Sequence, residues 1–166
     1  MSGPNDPQAI SVLEGLYLLE AVSFVRYVVE VSRPPVFDQA DQRALALYQD
    51  IYRDVERSAQ ALSDLLEDAD VVVDDPSWPL QYTSYNFLRP RYLLGPVLER
   101  AQEQREKVEA RARELRRFGW QEADEVLGTV LRRERSAIER LEKAVAELED
   151  EPIAPPKVKG TSASRW

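Results

Sequence analysis

Apolar residues that recur every three or four positions in four separate stretches constrain the fold of this chain more than any other feature. The clearest series is Leu45, Tyr48, Tyr52, Val55, Ala59, Leu62 and Leu66. Two further series run from Leu94 to Leu115 and from Val126 to Leu148, and a fourth, more continuously apolar stretch precedes them. This spacing places side chains on one face of an α-helix. The sequence predicts an all-α four-helix bundle with helices at about 9–33, 39–68, 91–118 and 121–149.

Proline and glycine divide these helices and indicate how they connect. Pro34-Pro35 ends the first helix, Phe118-Gly119 ends the third, and Pro152 follows the fourth. Between the second and third helices lies VVVDDPSWPLQYTSYNFLRP, which has no helical period. Because two short connections flank one long one, we expect two antiparallel helical hairpins joined by a long crossover.

Charge and length narrow the class of protein. The chain of 166 residues carries 22 Lys and Arg against 30 Asp and Glu, a net charge of -8, which repels nucleic acid and anionic lipid. It has no cysteine, and its opening MSGPNDPQ has no secretory signal pattern. We expect one cytoplasmic domain over residues 9–150, an N-terminal extension over 1–8 and a flexible tail over 151–166.

The first helix is apolar on more than one face. Glu14, Glu20, Arg26 and Glu30 interrupt it, and each is costly at the centre of a bilayer, so we expect a buried bundle helix and no membrane span. A helix with two apolar faces packs against its own bundle and against something else. The sequence therefore predicts a homodimer formed through the first helix.

Two glutamates fall within apolar stripes, and both should be buried. Glu20 lies between Leu16 and Phe24, and Glu134 lies between Val130 and Ile138. In the third helix, Arg105 lies in the corresponding stripe. A buried carboxylate needs a partner. We expect a buried polar network in which Arg105 pairs with both glutamates; its members are Glu20, Arg105, Glu134, Tyr27, Tyr52 and Ser58.

Short pieces of this pattern match a known metal-binding architecture. Glu20 is followed seven residues later by Tyr27, and Glu134 is followed three residues later by Ala137. With these residues the chain resembles the ferritin-like superfamily, in particular the helices of bacterioferritin and rubrerythrin. In that family two helices each supply a glutamate and two supply a Glu-x-x-His pair. The resemblance implies that Ala137 stands where the histidine of the fourth helix would be.

The other two helices also depart from the family pattern. In the second helix the resemblance puts Val55 at the glutamate and Ser58 at the histidine, so both ligands are replaced. In the third helix Glu99 and Glu103 are both possible matches to the family's glutamate. The chain has no histidine at all. The resemblance therefore implies a metal site that has been lost.

Two functions from different classes follow, and a third is weaker. The first is a non-catalytic ferritin-like protein that acts through self-association and partner binding, without a cofactor. The alternative is a diverged carboxylate-only metal-binding protein or oxidoreductase with Fe or Mn held by Glu20, Glu134 and either Glu99 or Glu103. One form of this alternative is cargo of a protein shell, addressed by its C-terminal tail. The third is a small-molecule pocket under the crossover.

The tail EPIAPPKVKGTSASRW differs in composition from the rest of the chain. Its prolines and small polar residues give it no helical period. We expect either a frayed end or a docking peptide for a protein partner; the candidate binding residues are Lys157, Lys159, Arg165 and Trp166.

Overall fold

The computed structural model describes residues 3–148 and 150–152, and every regular element in this part of the chain is helical. The all-α class is therefore confirmed. The elements are α1 (Pro7–Ala21), α2 (Phe24–Tyr27), which continues as a π-helical turn over Val28–Ser32, α3 (Gln39–Asp68), α4 (Pro90–Arg116) and α5 (Gln121–Leu148). Short 3-10 turns cover Gly3–Asn5 and Leu80–Tyr85.

Side-chain caps, a proline and a glycine account for where several of the helices begin and end. The Asp6 carboxylate accepts from the Gln8 backbone N–H at 2.8 Å and caps α1, while Asp38 accepts from the Asp41 backbone N–H at 2.9 Å and caps α3. Pro90 stands at the first turn of α4, where a missing N–H costs nothing. Gly119 adopts a φ of 68° between α4 and α5, a left-handed conformation that glycine tolerates well.

The first helix is broken, contrary to the single helix expected over 9–33. α1 stops at Ala21, and Ser23 has an extended ψ of 147° before α2 begins. The Val22 carbonyl accepts a hydrogen bond from the Tyr82 hydroxyl at 3.1 Å, so a side chain of the crossover satisfies a backbone group at the break. Periodicity did not indicate this break because both halves are apolar.

The helices pack into two apolar clusters along their length. α1 packs against α3 and α4, and α5 packs against α3 and α4. The first cluster draws on residues 9–16, 62–66, 108–115 and 120–130, and the second on residues 24–28, 40–55, 82, 93–97 and 137–148. α3, α4 and α5 contribute to both clusters, whereas α1 contributes to the first cluster and α2 with its π-helical turn to the second. A narrow interval of the chain lies between the two clusters in each case.

The crossover, residues 69–89, covers the outer side of the first helical segment. Tyr82 and Tyr85 pack on the Phe24 ring, with ring centroids 4.9 and 5.0 Å away, and Trp78 packs edge-on against Tyr27 at 5.6 Å. Val71 packs on the cluster that contains α1. Part of the second apolar face, which the sequence assigned to a partner subunit, is thus covered by the chain itself. Among the described residues, no helix combines the length and the apolar character needed to cross a lipid bilayer.

Candidate functional site

One polar residue from each of four helices lies in the interval between the two apolar clusters. Glu20 of α1, Ser58 of α3, Gln104 of α4 and Glu134 of α5 line one cavity, and we call them the polar layer. Glu20, Ser58 and Glu134 are buried. Sequence position accounts for this arrangement, because each of the four lies between a stretch that joins one cluster and a stretch that joins the other.

The Gln104 carboxamide holds the polar layer together. Its Nε2 donates to Glu20 Oε1 at 3.1 Å and to Glu134 Oε1 at 3.2 Å. Arg133, the neighbour of Glu134, donates to Ser58 Oγ at 3.3 Å. The two glutamates are 1% and 9% exposed, so water competes little for these bonds. A neutral amide therefore stands between two buried carboxyl groups.

Burial decides the protonation of this pair. The pKa of Glu20 is raised well above its ordinary value, first by desolvation and then by the nearby Glu134 carboxyl. Desolvation also raises the pKa of Glu134, against the opposing effect of its hydrogen bonds to Glu20 and Gln104. The neighbouring carboxyl acts in opposite directions on the two groups, raising the pKa of Glu20 and lowering that of Glu134. Because burial raises both pKa values and no cation of the described residues is bound to either carboxyl, the pair favours the protonated form.

The cavity beside the pair is small and partly polar. Its volume is about 40 Å³, which accommodates two or three water-sized molecules. Two buried oxygens in its wall, Ser23 Oγ and Glu134 Oε2, have no hydrogen-bond partner among the described residues. Arg100 and Arg133 also line it. The site offers hydrogen-bonding groups to a very small ligand. Among the described residues that line it, no nucleophile is hydrogen-bonded to a base.

The prediction that Arg105 pairs with Glu20 and Glu134 is wrong, and its neighbour Gln104 contacts the two glutamates instead. The Arg105 guanidinium turns along its own helix and donates to Glu109 Oε1 at 3.0 Å, and Gln104 takes the inward position. Arg105 influences Glu134 only through its field, which lowers the pKa of that carboxyl slightly against the larger effect of burial.

The hydroxyl groups of Tyr27 and Tyr52, which were expected to join this network, form hydrogen bonds with other residues. The Tyr27 hydroxyl donates to Asn86 Oδ1 of the crossover at 2.6 Å. The Tyr52 hydroxyl lies between Glu30 and Glu56, at 2.9 and 2.7 Å, on the outer side of α3. Each hydroxyl finds an acceptor near the surface, so neither reaches Glu20 or Glu134. Of the expected network, Glu20, Ser58 and Glu134 come together.

The residues present do not fit the Fe or Mn that the resemblance implies. The two candidate third carboxylates, Glu99 and Glu103, are exposed on α4, and Gln104 faces the interior in their place. Within residues 3–148 and 150–152, no group of three His, Cys, Asp or Glu is close enough to share a metal ion. Gln104 turns its amide donor toward the carboxyl groups, and an N–H donor is not a metal ligand.

A second buried polar cluster, which sequence analysis did not predict, joins the ends of three helices. Asp41 is fully buried and accepts from Arg89 Nε at 2.8 Å, and Arg89 also lies 2.5 Å from Asp38. The buried Arg91 lies 3.5 Å from Asp38 and donates to the Leu148 carbonyl at 3.2 Å. We call Asp38, Asp41, Arg89 and Arg91 the end cluster. Its signal in the sequence is the pair of aspartates at the start of the second helix together with Arg89 and Arg91 at the start of the third.

The tail residues Lys157, Lys159, Arg165 and Trp166 lie outside the described residues. Comparison with known proteins adds no assignment: no protein-family model, curated protein or solved structure matches this chain.

Proposed function

We propose that this chain is a non-catalytic protein of ferritin-like helical arrangement, which has lost its metal site and acts through self-association and partner binding. The observation that carries the proposal is the Gln104 carboxamide between the Glu20 and Glu134 carboxyl groups. At this point a metal-binding bundle needs further ligands with lone pairs directed inward. Here Gln104 of α4 directs an amide donor inward, and this donor contacts one oxygen of each carboxyl group.

The remaining interior positions support the same proposal. Val55 and Ser58 of α3, and Ala137 of α5, line the cavity at the positions that the resemblance assigns to metal ligands. A methyl and an isopropyl group cannot coordinate a cation, and Ser58 already accepts from Arg133. This combination stabilises a packed interior and supplies no redox centre.

The first helical segment supplies the surface for self-association. Leu18 of α1 is 43% exposed and Val31 of the π-helical turn is 46% exposed. Exposed apolar side chains on these two elements are positions where a second copy would add contacts.

Sedimentation velocity of the untagged full chain over a hundredfold concentration range tests self-association. We expect a concentration-dependent dimer that Leu18→Glu with Val31→Glu dissociates. Leu80→Glu is the matched control, because Leu80 is an exposed apolar residue that belongs to the crossover and not to the first helix. A wild-type chain that stays monomeric at every concentration would contradict this part of the proposal.

Elemental analysis tests the loss of the metal site. Protein produced with iron and manganese in the medium should carry the same low metal content in the wild type and in the Glu20→Gln, Glu134→Gln variant. Near-stoichiometric metal that disappears in the variant would instead support the carboxylate-only metal protein.

A further inference from the structure

An exposed aromatic surface lies beside the end cluster, at the far end of the molecule from the start of α1. Phe87 is 92% exposed, Phe37 is 72% exposed and Tyr92 is 41% exposed. Phe37 and Tyr92 both lie against the Arg89 guanidinium, and Phe87 and Leu88 directly precede Arg89 in the chain. We call Phe37, Phe87, Leu88 and Tyr92 the aromatic patch. Large apolar side chains grouped in this way on a surface mark a binding site more often than single exposed ones do.

The patch is held in place by buried ion pairs. The Arg89 guanidinium lies 5.2 Å from the Phe37 ring centre and 5.7 Å from the Tyr92 ring centre, so one cation contacts both rings. Arg89 is itself fixed by Asp38 and Asp41. The backbone N–H of Phe37 donates to Asp41 at 3.0 Å. The rings are therefore presented on a scaffold that loses little conformational entropy on binding.

The C-terminal end of α5 lies next to the aromatic patch. The Arg91 guanidinium lies 5.5 Å from the Tyr92 ring centre, and its Nη2 donates to the backbone carbonyls of Leu148 and Glu151. Fourteen residues of the sequence, 153–166, follow Pro152 and lie outside the described residues. Such a length reaches at most about 45 Å when extended, far more than the patch requires.

The charge of residues 153–166 is opposite in sign to that of the rest of the chain. They contain three basic residues, Lys157, Lys159 and Arg165, and no acidic one, although the whole chain has a net charge of -8. Residues 1–152 therefore carry -11, since the segment itself carries +3. Ile153, Val158 and Trp166 supply apolar side chains. Attachment beside the patch gives the segment an effective concentration on the order of millimolar, so weak contacts suffice.

We infer that the aromatic patch is the docking surface of residues 153–166 of the same chain. The basic side chains are attracted by the acidic body, and the apolar side chains cover Phe37, Phe87 and Tyr92. This inference goes beyond the proposed function and does not rest on it, because neither the polar layer nor the first helix takes part.

The absence of cysteine makes a direct test possible in the full chain. A nitroxide label on Ser164→Cys reports the motion of the segment by electron paramagnetic resonance. We expect a slow component in the otherwise unchanged protein, and a rotational correlation time several-fold shorter after Phe37→Ser with Phe87→Ser. The matched control is Val72→Ser with Leu80→Ser, which removes two exposed apolar side chains outside the patch and should leave the spectrum unchanged. Circular dichroism checks that both double variants stay folded.

Two results would overturn the inference. A label that moves equally fast in the parent protein and in the patch variant would mean that the segment does not dock there. A slow component that disappears on dilution, with dipolar coupling between labels of singly labelled chains, would mean that the occupant is a second copy. In either case the sedimentation and metal results for the proposed function are unaffected, so the two proposals fail separately.

Discussion

The polar layer and the end cluster both bury carboxyl groups, but they neutralise them in different ways. In the end cluster, Asp41 is fully buried and contacts the Arg89 guanidinium at 2.8 Å. In the polar layer, Glu20 and Glu134 face a neutral amide and each other. A buried carboxylate with a guanidinium stays charged, whereas a buried carboxyl pair without a cation holds a proton. The difference separates a structural clasp of ion pairs from a carboxyl pair held by a neutral amide.

The pH dependence of the two clusters should have opposite sign. The pKa of Asp38 is lowered, first by the backbone N–H of Asp41 and then by Arg89, so its stabilising contribution is present above its ordinary pKa of 3.8 and is lost as the pH falls through the lower folded value. The folded pKa values of Glu20 and Glu134 are raised, so the native state binds more protons than the unfolded state above pH 4.5. Their effect lowers stability as the pH rises from there through the folded pKa values.

The largest effect is expected from breaking the end cluster. Asp41→Ala should lower the free energy of unfolding by about 3–5 kcal/mol, because the backbone donors of Phe37 and Arg91 lose their acceptor and Arg89 keeps Asp38 alone. Asp50→Ala is the matched control in the same helix, since Asp50 pairs with Arg53 at an exposed position, and we expect a change within about 0.5 kcal/mol. Urea denaturation measures both. Equal values for the two variants would contradict the assignment of a buried clasp.

An intermediate effect is expected at Gln104. Gln104→Leu should cost about 1–3 kcal/mol, because two buried carboxyl oxygens lose their shared donor. The loss should be larger at pH 8 than at pH 5, since the ionised form depends more on that donor. Gln102→Leu, an exposed neighbour, serves as the control. A loss that is independent of pH would indicate that Gln104 contributes packing alone.

The smallest effect on stability is expected from Glu20→Gln, which is also the most specific test of the carboxyl pair. The amide has the shape of the protonated carboxyl and cannot ionise, so the variant should be more stable than the wild type at pH 8 by on the order of 1 kcal/mol, about 2–4 °C in Tm. The fall in Tm between pH 5 and pH 8 should become shallower. Glu139→Gln, an exposed change in α5, should leave the pH profile as it is. A wild-type Tm that rises over this range, with no change in slope in Glu20→Gln, would refute the raised pKa of Glu20.

Part of the site could be predicted from the sequence because burial follows helical periodicity. Glu20 and Glu134 lie in apolar stripes dense enough to fix which face of the helix is inward. In α4 the stripe is sparse between Ala101 and Val108, so Gln104 and Arg105 both fit a spacing of three or four. Successive helical residues differ by about 100° around the axis, and only contact with α1 and α5 decides which of the two faces inward.

A repeated sequence illustrates the same limit. Glu56 and Glu134 each open the same four letters, Glu-Arg-Ser-Ala. Glu56 is exposed and accepts from Tyr52, whereas Glu134 is buried against Gln104. Identical local sequences therefore face opposite environments, since the flanking apolar residues set the rotation of each helix.

The sequence by itself determined the all-helical class, the crossover between the second and third helices, and the two inward glutamates, because each depends on local spacing and on proline and glycine. Only the tertiary structure decided the partner of those glutamates, the end cluster and the aromatic patch. Gln104 and Glu20 are 84 positions apart, and Arg91 and Glu151 are 60 apart. Contacts at such separations depend on the rotation and offset of whole helices, which no local pattern specifies.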